Sequence, residues 1–146
     1  MAGLLILLIV ASTELTVDVE RPLLPALGCV QAVLTSQGES IIRVDEERGV
    51  IMTRFRLVSR EALQRIAATN RGGATVRWTK GIYQFIITLS PVERGGTQVR
   101  VAARILGYSE TSTPVLRPSP WRPLPSTGNL EARILAAVTA SCRADP

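Results

Sequence analysis

The chain has 146 residues, of which 46% are hydrophobic, and 17 basic against 12 acidic side chains give a formal charge of +5. This length holds one domain with a substantial core and is short for two. Histidine is absent, so the side chain that most often serves as general base and metal ligand is missing. Two cysteines cannot supply a four-thiolate zinc site, and Gly72-Gly73 and Gly95-Gly96 lack the spacing of a phosphate-binding loop. We therefore expect a protein that is not an enzyme and that holds no metal or cofactor.

Arginine accounts for nearly all of the positive charge, since Lys80 is the only lysine. Such a bias can arise from genome composition or from selection for contact with anions. The sequence alone leaves both explanations open.

The first twelve residues resemble an export signal. Gly3 to Ala11 form an apolar run that is too short for a membrane span of roughly 20 residues but suits the hydrophobic region of a secretory signal. No lysine or arginine precedes it. Ile9-Val10-Ala11-Ser12 has the shape of a lipoprotein signal box, with Ser12 where a lipidated cysteine would stand. We expect an exported protein, periplasmic or outer-membrane-associated, which the N-terminal segment could attach to a membrane; a buried N-terminal strand and a cytoplasmic location remain alternatives.

The next elements are predicted from periodicity and turn residues. Glu14 to Glu20 alternate as a short edge strand, and a helix follows Pro22 and continues to about Ser36. A hairpin then joins Glu39 to Val44 with Val50 to Val58 through a turn that ends at Gly49.

Arginines on the second arm of this hairpin are the first candidates for an interaction surface. The alternation places Ile51, Phe55 and Leu57 on one face and Met52, Arg54 and Arg56 on the other. Ser59 to Thr75 are predicted to be an insertion, with a short helix from Ser59 to Thr69 capped by the Ser59 side chain.

The dominant pattern is a long hairpin from Gly81 to Tyr108. Apolar side chains alternate along both arms, which is typical of strands with one buried face. The residues expected to face inward are Tyr83, Phe85, Ile87, Leu89, Val99, Val101, Ala103 and Ile105. Arg100 and Arg104 fall on the opposite face.

The C-terminal part is predicted to be a connector followed by a helix. Five prolines between Ser109 and Thr127 predict an extended connector without regular structure, anchored by Trp121, with a PxxP-type peptide ligand as an alternative. Gly128 to Arg143 form a helix with Leu130, Ile134, Val138 and Cys142 on one stripe, and Ser126 or Thr127 is expected to cap it.

Cys29 and Cys142 could meet as a disulfide where the two long helices pack over the sheet; two buried free thiols fit the spacing equally well.

These elements predict an α+β fold in which an antiparallel sheet of four to six strands packs against an N-terminal helix and a long C-terminal helix. Residues 13–146 would form one domain, with the insertion at 59–75 and the proline-rich connector at 109–127.

From Leu15 to Cys142 the chain resembles the helix-grip domains of bacterial envelope lipoproteins, such as the lipoprotein C subunit of the outer-membrane β-barrel assembly machinery. The similarity rests on the turn from Val44 to Thr53, the hairpin from Tyr83 to Val101 and the helix opening at Gly128-Asn129-Leu130-Glu131. It implies a noncatalytic accessory role in the envelope, with a protein partner.

Two alternative functions are binding of a hydrophobic ligand and binding of nucleic acid. Helix-grip sheets elsewhere enclose apolar ligands, so a binder of a hydrophobic small molecule or lipid is the alternative, and it would need an internal cavity. Nucleic-acid binding would require arginines clustered with exposed aromatic rings, and with six aromatic residues expected mostly inside, we do not expect it. The interaction surface predicted for a partner comprises Arg54, Arg56, Arg100, Arg104 and Trp121.

Overall fold

The computed structural model describes residues 14–69, 77–109 and 120–143. The signal-like segment 1–12, including Ser12, lies outside these ranges. So do residues 70–76, which include the end of the predicted insertion, and residues 110–119 of the predicted connector.

The described chain is α+β, with three helices and seven strands. The strands are β1 (Glu14–Val19), β2 (Ile41–Asp45), β3 (Val50–Thr53), β4 (Arg56–Ser59), β5 (Trp78–Pro91), β6 (Thr97–Ser109) and β7 (Trp121–Leu124). The helices are α1 (Leu23–Ser36), α2 (Arg60–Ile66) and α3 (Asn129–Ser141).

One antiparallel sheet contains all seven strands, in the order β1-β6-β5-β3-β2. Strand β4 pairs with β5 beyond the end of β3, and β7 pairs with β6 beyond the end of β1. The long β5–β6 hairpin predicted from Gly81 to Tyr108 is therefore the centre of the sheet, and its register runs from Trp78↔Ser109 to Pro91↔Thr97.

The inner face of the sheet, which we define as the face against α1 and α3, carries the core. Phe85, Ile87, Val99 and Val101 have no exposed surface there, as their alternation predicts. The helices contribute buried apolar side chains to the same cluster: Ala26, Leu27, Val30, Val33 and Leu34 from α1, and Leu130, Ile134, Leu135 and Val138 from α3.

The second arm of the first hairpin is broken, contrary to the prediction of one continuous strand. Backbone pairing with β5 stops after Met52 and resumes at Arg56, and the alternation changes phase across the break. Ile51 is buried, but Leu57 is 69% exposed, because Leu57 lies opposite Ile82 on the other face. Arg56 lies opposite Tyr83 and thus faces the helices.

Side chains satisfy the backbone at this break. The Thr53 hydroxyl accepts the Phe85 N–H at 2.9 Å, and the Gln84 side-chain amide donates to the Thr53 carbonyl at 2.9 Å. Buried backbone groups that lose their ladder partners need such replacements. The break is therefore a defined structural feature with its own hydrogen bonds.

The predicted connector also differs from expectation, because β7 forms within it. Pro123 lies in this strand, opposite Leu106. Proline lacks a donor but is tolerated in an edge strand, and among the described strands β7 pairs with β6 alone. This strand and the split between β3 and β4 raise the number of strands above the predicted four to six.

The start of α3 is more elaborate than the predicted cap. Gly128, with a φ of +92°, is the N-cap residue and provides no side chain. The Ser126 hydroxyl instead accepts the Gly128 N–H at 3.0 Å and donates to Glu131 at 2.8 Å. Glu131, in the first turn of the helix, is completely buried.

Helix α2, within the predicted insertion, is hydrogen-bonded to the start of α3. The Ser59 hydroxyl accepts the Ala62 N–H, as predicted for the cap. At the other end of α2, the Arg65 carbonyl accepts the Asn129 side-chain amide at 2.8 Å, and the Ile66 carbonyl accepts the Thr127 N–H at 2.9 Å. The end of α2 thus holds the start of α3.

Cys29 and Cys142 form a disulfide. Their Cα atoms are 5.8 Å apart, and the bond connects the middle of α1 to the C-terminal end of α3 across a sequence separation of 113 residues. Of the two alternatives for these cysteines, the structure therefore contains the bonded pair.

Candidate interaction face

The candidate site is the outer face of the sheet, which we define as the face opposite α1 and α3. Strand register assigns its members, because directly paired residues point to the same side. The apolar and aromatic residues on this face are Val50, Met52, Leu57, Ile82, Ile86, Ala102, Leu106, Tyr108, Trp121 and Pro123.

An apolar row crosses this face from strand to strand. Leu57 lies opposite Ile82, Ile82 opposite Leu106, and Leu106 opposite Pro123. Leu57 is 69% exposed, and Ile82 and Leu106 are half-buried. We call these four residues the apolar row.

Cations lie on both sides of the apolar row. On one side, the Lys80 ammonium lies 4.7 Å from the ring centroid of Tyr108 and 5.8 Å from that of Trp121, and the two rings pack edge to face at 5.0 Å. On the other side, the Arg104 guanidinium lies 5.7 Å from the Phe55 ring centroid. Such contacts hold each cation over the face of a ring.

The predicted surface residues do not all lie together. Arg100, Arg104 and Trp121 are on the outer face. Arg54 is exposed at the strand break, where its N–H donates to the Ser40 carbonyl. Arg56 is on the inner face, whereas the alternation predicted it on the opposite one, and the reason is the phase change between Thr53 and Arg56.

Arg56 instead belongs to a charged cluster beside the helices. Its guanidinium donates to Glu39 Oε2 at 3.0 Å, the Tyr83 hydroxyl donates to the same oxygen at 2.9 Å, and Arg133 lies 3.6 Å from it. The Glu39 side chain is completely buried, whereas both arginines are 47% exposed. The hydrogen bond to Glu39 raises the pKa of Arg56, so its charge is retained at any ordinary pH.

No local pattern in the sequence indicated this Glu39 cluster. Glu39 comes three residues after the end of α1, in a position where a solvated carboxylate would be ordinary. Its burial depends on Arg56, Tyr83 and Arg133, which come from three separate elements. The Lys80↔Tyr108 pair on the outer face was easier to anticipate, because the two residues stand at the open end of the predicted hairpin.

Three clefts among the described residues open at the margins of the molecule. Two, of about 410 and 390 Å³, share Asp18, Val19 and Glu20, and the third, of about 150 Å³, lies beside Arg43 and Asp45. None of the three is lined by Phe85, Ile87, Leu130 or Ile134, the side chains expected around an internal ligand.

Within residues 14–69, 77–109 and 120–143, no group of three or more acidic, cysteine or histidine side chains is arranged to hold a metal ion. In the same ranges, none of the helices combines the length and apolar character needed to cross a bilayer.

No family model matches the chain, and no curated protein matches it in sequence. The functional assignment therefore depends on the geometry of the site.

Proposed function

We propose that this protein is a noncatalytic contact protein of the cell envelope, and that it binds another protein through the outer face of its sheet. The observation that carries the proposal is the apolar row, in which Leu57 is 69% exposed and which has cations on both sides. A sheet face with exposed apolar side chains between charged ones is characteristic of a protein interaction site.

Two features support the envelope location in this proposal. The signal-like segment 1–12 suits export, and the Cys29–Cys142 disulfide is typical of oxidising compartments such as the periplasm. The helix-grip relationship and a link to outer-membrane assembly belong to the same proposal. The packing of α1 and α3 on one face of an antiparallel sheet supports the helix-grip relationship, and the link to outer-membrane assembly follows only from the resemblance in sequence pattern.

The alternative function, binding of a hydrophobic ligand, has less support from the core. Tyr83, Phe85, Ile87, Leu130 and Ile134 are each at most 5% exposed and belong to one packed cluster. These are the side chains that a lipid carrier would have to separate around its ligand.

Photocrosslinking tests the proposed contact. A photoreactive residue at Leu57 should give a discrete adduct with another protein in the source cells, and the adduct should decrease in an Arg104→Glu background. The matched control is Leu24, which is 60% exposed on α1. Equal adducts from both positions, or none from position 57, would overturn the proposal.

The location is tested by the intact mass of the protein recovered from fractionated cells. Removal of residues 1–12 in the envelope fraction is the expected result. A chain that retains Met1 and is found in the cytosolic fraction would contradict export.

A further inference from the structure

We infer that the segment bound by the outer face is an acidic amphipathic α-helix of the partner protein. This inference rests on the proposed function and specifies the partner of the same face.

The backbone of the face excludes one kind of partner segment. Strand β6 is hydrogen-bonded to β5 on one side and to β1 and β7 on the other, and β5 is likewise flanked by β6 and by β3 and β4. A segment lying over these central strands therefore finds few free backbone groups, and it must satisfy its own backbone internally. A helix does so, whereas an extended peptide would have to bind at an edge strand.

The spacing of the cations fits the width of a helix. Lys80 and the Gln84↔Arg104 pair lie on either side of the apolar row, four residues apart along β5, which is about 13 Å in a strand. A helix with its side chains is about 10–12 Å in diameter. A helix lying along the row would thus have Lys80 on one side and Arg104 on the other.

The length of the apolar row sets the length of the contact. The row crosses β4, β5, β6 and β7, and four strands at about 4.8 Å spacing span about 14 Å. About ten helical residues cover that distance. The complementary segment is therefore about three turns long, with an apolar stripe and carboxylates on both sides of it.

Charge and ring geometry distinguish this partner from others. The formal charge of +5 opposes binding of a second copy. Single-stranded nucleic acid binds by stacking bases on open rings, but Lys80 lies over Tyr108 and Arg104 over Phe55. A partner that supplies carboxylates to these cations while leaving the rings in place fits better.

The test uses three synthetic peptides of about three helical turns and the isotope-labelled full chain. The first peptide has a leucine stripe flanked by glutamates, the second has the same composition in an order without helical periodicity, and the third has lysine in place of glutamate. We expect the first peptide alone to give saturable shifts in the amide resonances around Ile82 and Leu106. Leu57→Asp and Arg104→Glu should each weaken its binding about tenfold, and Leu24→Asp should not.

Several results would overturn the inference. Equal binding of the non-periodic peptide would do so, as would peptide-induced shifts confined to β1 or β2. Tighter binding of oligothymidylate or of anionic vesicles would also overturn it. So would shifts at the amides around Ile82 and Leu106 caused by removal of residues 1–12 without any peptide, because the face would then be occupied by the chain's own N-terminal segment. If no peptide binds but photocrosslinks from position 57 persist, the helix inference fails and the proposed function stands. If the crosslinks are also absent, both fail.

Discussion

The Tyr83 hydroxyl donates to Glu39 Oε2 across 2.9 Å, joining the central strand of the sheet to the residues that follow α1. Tyr83 is 5% exposed and Glu39 is 4% exposed. Burial is the main cause that raises the pKa of Tyr83 above its ordinary value of 10.0, and the hydrogen bond to Glu39 is the second.

This relationship predicts a pH-dependent effect of Tyr83→Phe. Because the folded state holds the phenol proton more tightly than the unfolded state, the stabilisation is complete below about pH 10 and is lost as the pH rises through the folded-state pKa. We expect the variant to lose about 1–3 kcal/mol of unfolding free energy at neutral pH. The difference from wild type should shrink above about pH 10.

Urea unfolding of both proteins over that pH range checks the prediction. Tyr108→Phe serves as the control, since that ring lies on the outer face away from Glu39. If the difference in unfolding free energy between wild type and Tyr83→Phe stayed constant up to the highest pH measured, the role given to the Tyr83 hydroxyl would be contradicted.

Thr53→Val should destabilise the strand break. Valine has nearly the same shape, but it removes the oxygen that accepts the Phe85 N–H, and an unsatisfied buried donor costs about 1–3 kcal/mol. Thr88→Val on the outer face of β5 is the matched control and should change stability by less than about 0.5 kcal/mol. Equal effects of the two substitutions in chemical denaturation would refute the hydrogen-bonding account.

The same break shows where prediction from sequence succeeds and where it stops. The alternation along Phe85 and Ile87 identifies the buried face correctly, because period two is a local property. The phase change between Thr53 and Arg56 escaped prediction because the side chains that stabilise it, Thr53 and Gln84, act on a strand remote in sequence. The assignment of Arg56 to the outer surface failed for this reason.

The candidate site, likewise, could be predicted from the sequence only in part. Arg100 and Arg104 were placed on the correct face by the hairpin pattern alone. Leu57 was expected to share a face with buried Ile51, and its exposure depends on the break. The Glu39 cluster had no local signal, since each of its members comes from a different element.

Gly49→Ala should be far more damaging than Gly95→Ala. Both glycines have positive φ, +67° and +86°, so alanine incurs a backbone penalty of about 1–2 kcal/mol at each position. At Gly49 an added Cβ would also collide with the Leu89 carbonyl oxygen, whereas at Gly95 nothing lies within 4 Å. We expect an additional loss of about 1–3 kcal/mol at Gly49, measured as a lower unfolding midpoint; indistinguishable midpoints would argue against the close approach.

Removing the disulfide should lower stability without changing the fold. The double substitution Cys29→Ala and Cys142→Ala opens a covalent loop of 113 residues in sequence separation, and loss of such a constraint costs about 2–5 kcal/mol. Unfolding of the wild type in reductant should approach that of the double variant, and reductant should leave the variant unchanged. A wild type insensitive to a reductant that demonstrably opens the bond would contradict this expectation.

The disulfide also determines how the molecule would bear a mechanical load. A pull on the two ends of the chain is carried by the covalent bond between Cys29 and Cys142, so the sheet strands from β2 to β7, which lie inside the loop, are shielded from extension. Of the described residues, only those before Cys29 and after Cys142 can lengthen. Fully extended, residues 14–28 span roughly 50 Å. Under tension, therefore, β1 and the first half of α1 would detach while the apolar row, which crosses β4 to β7, kept its shape.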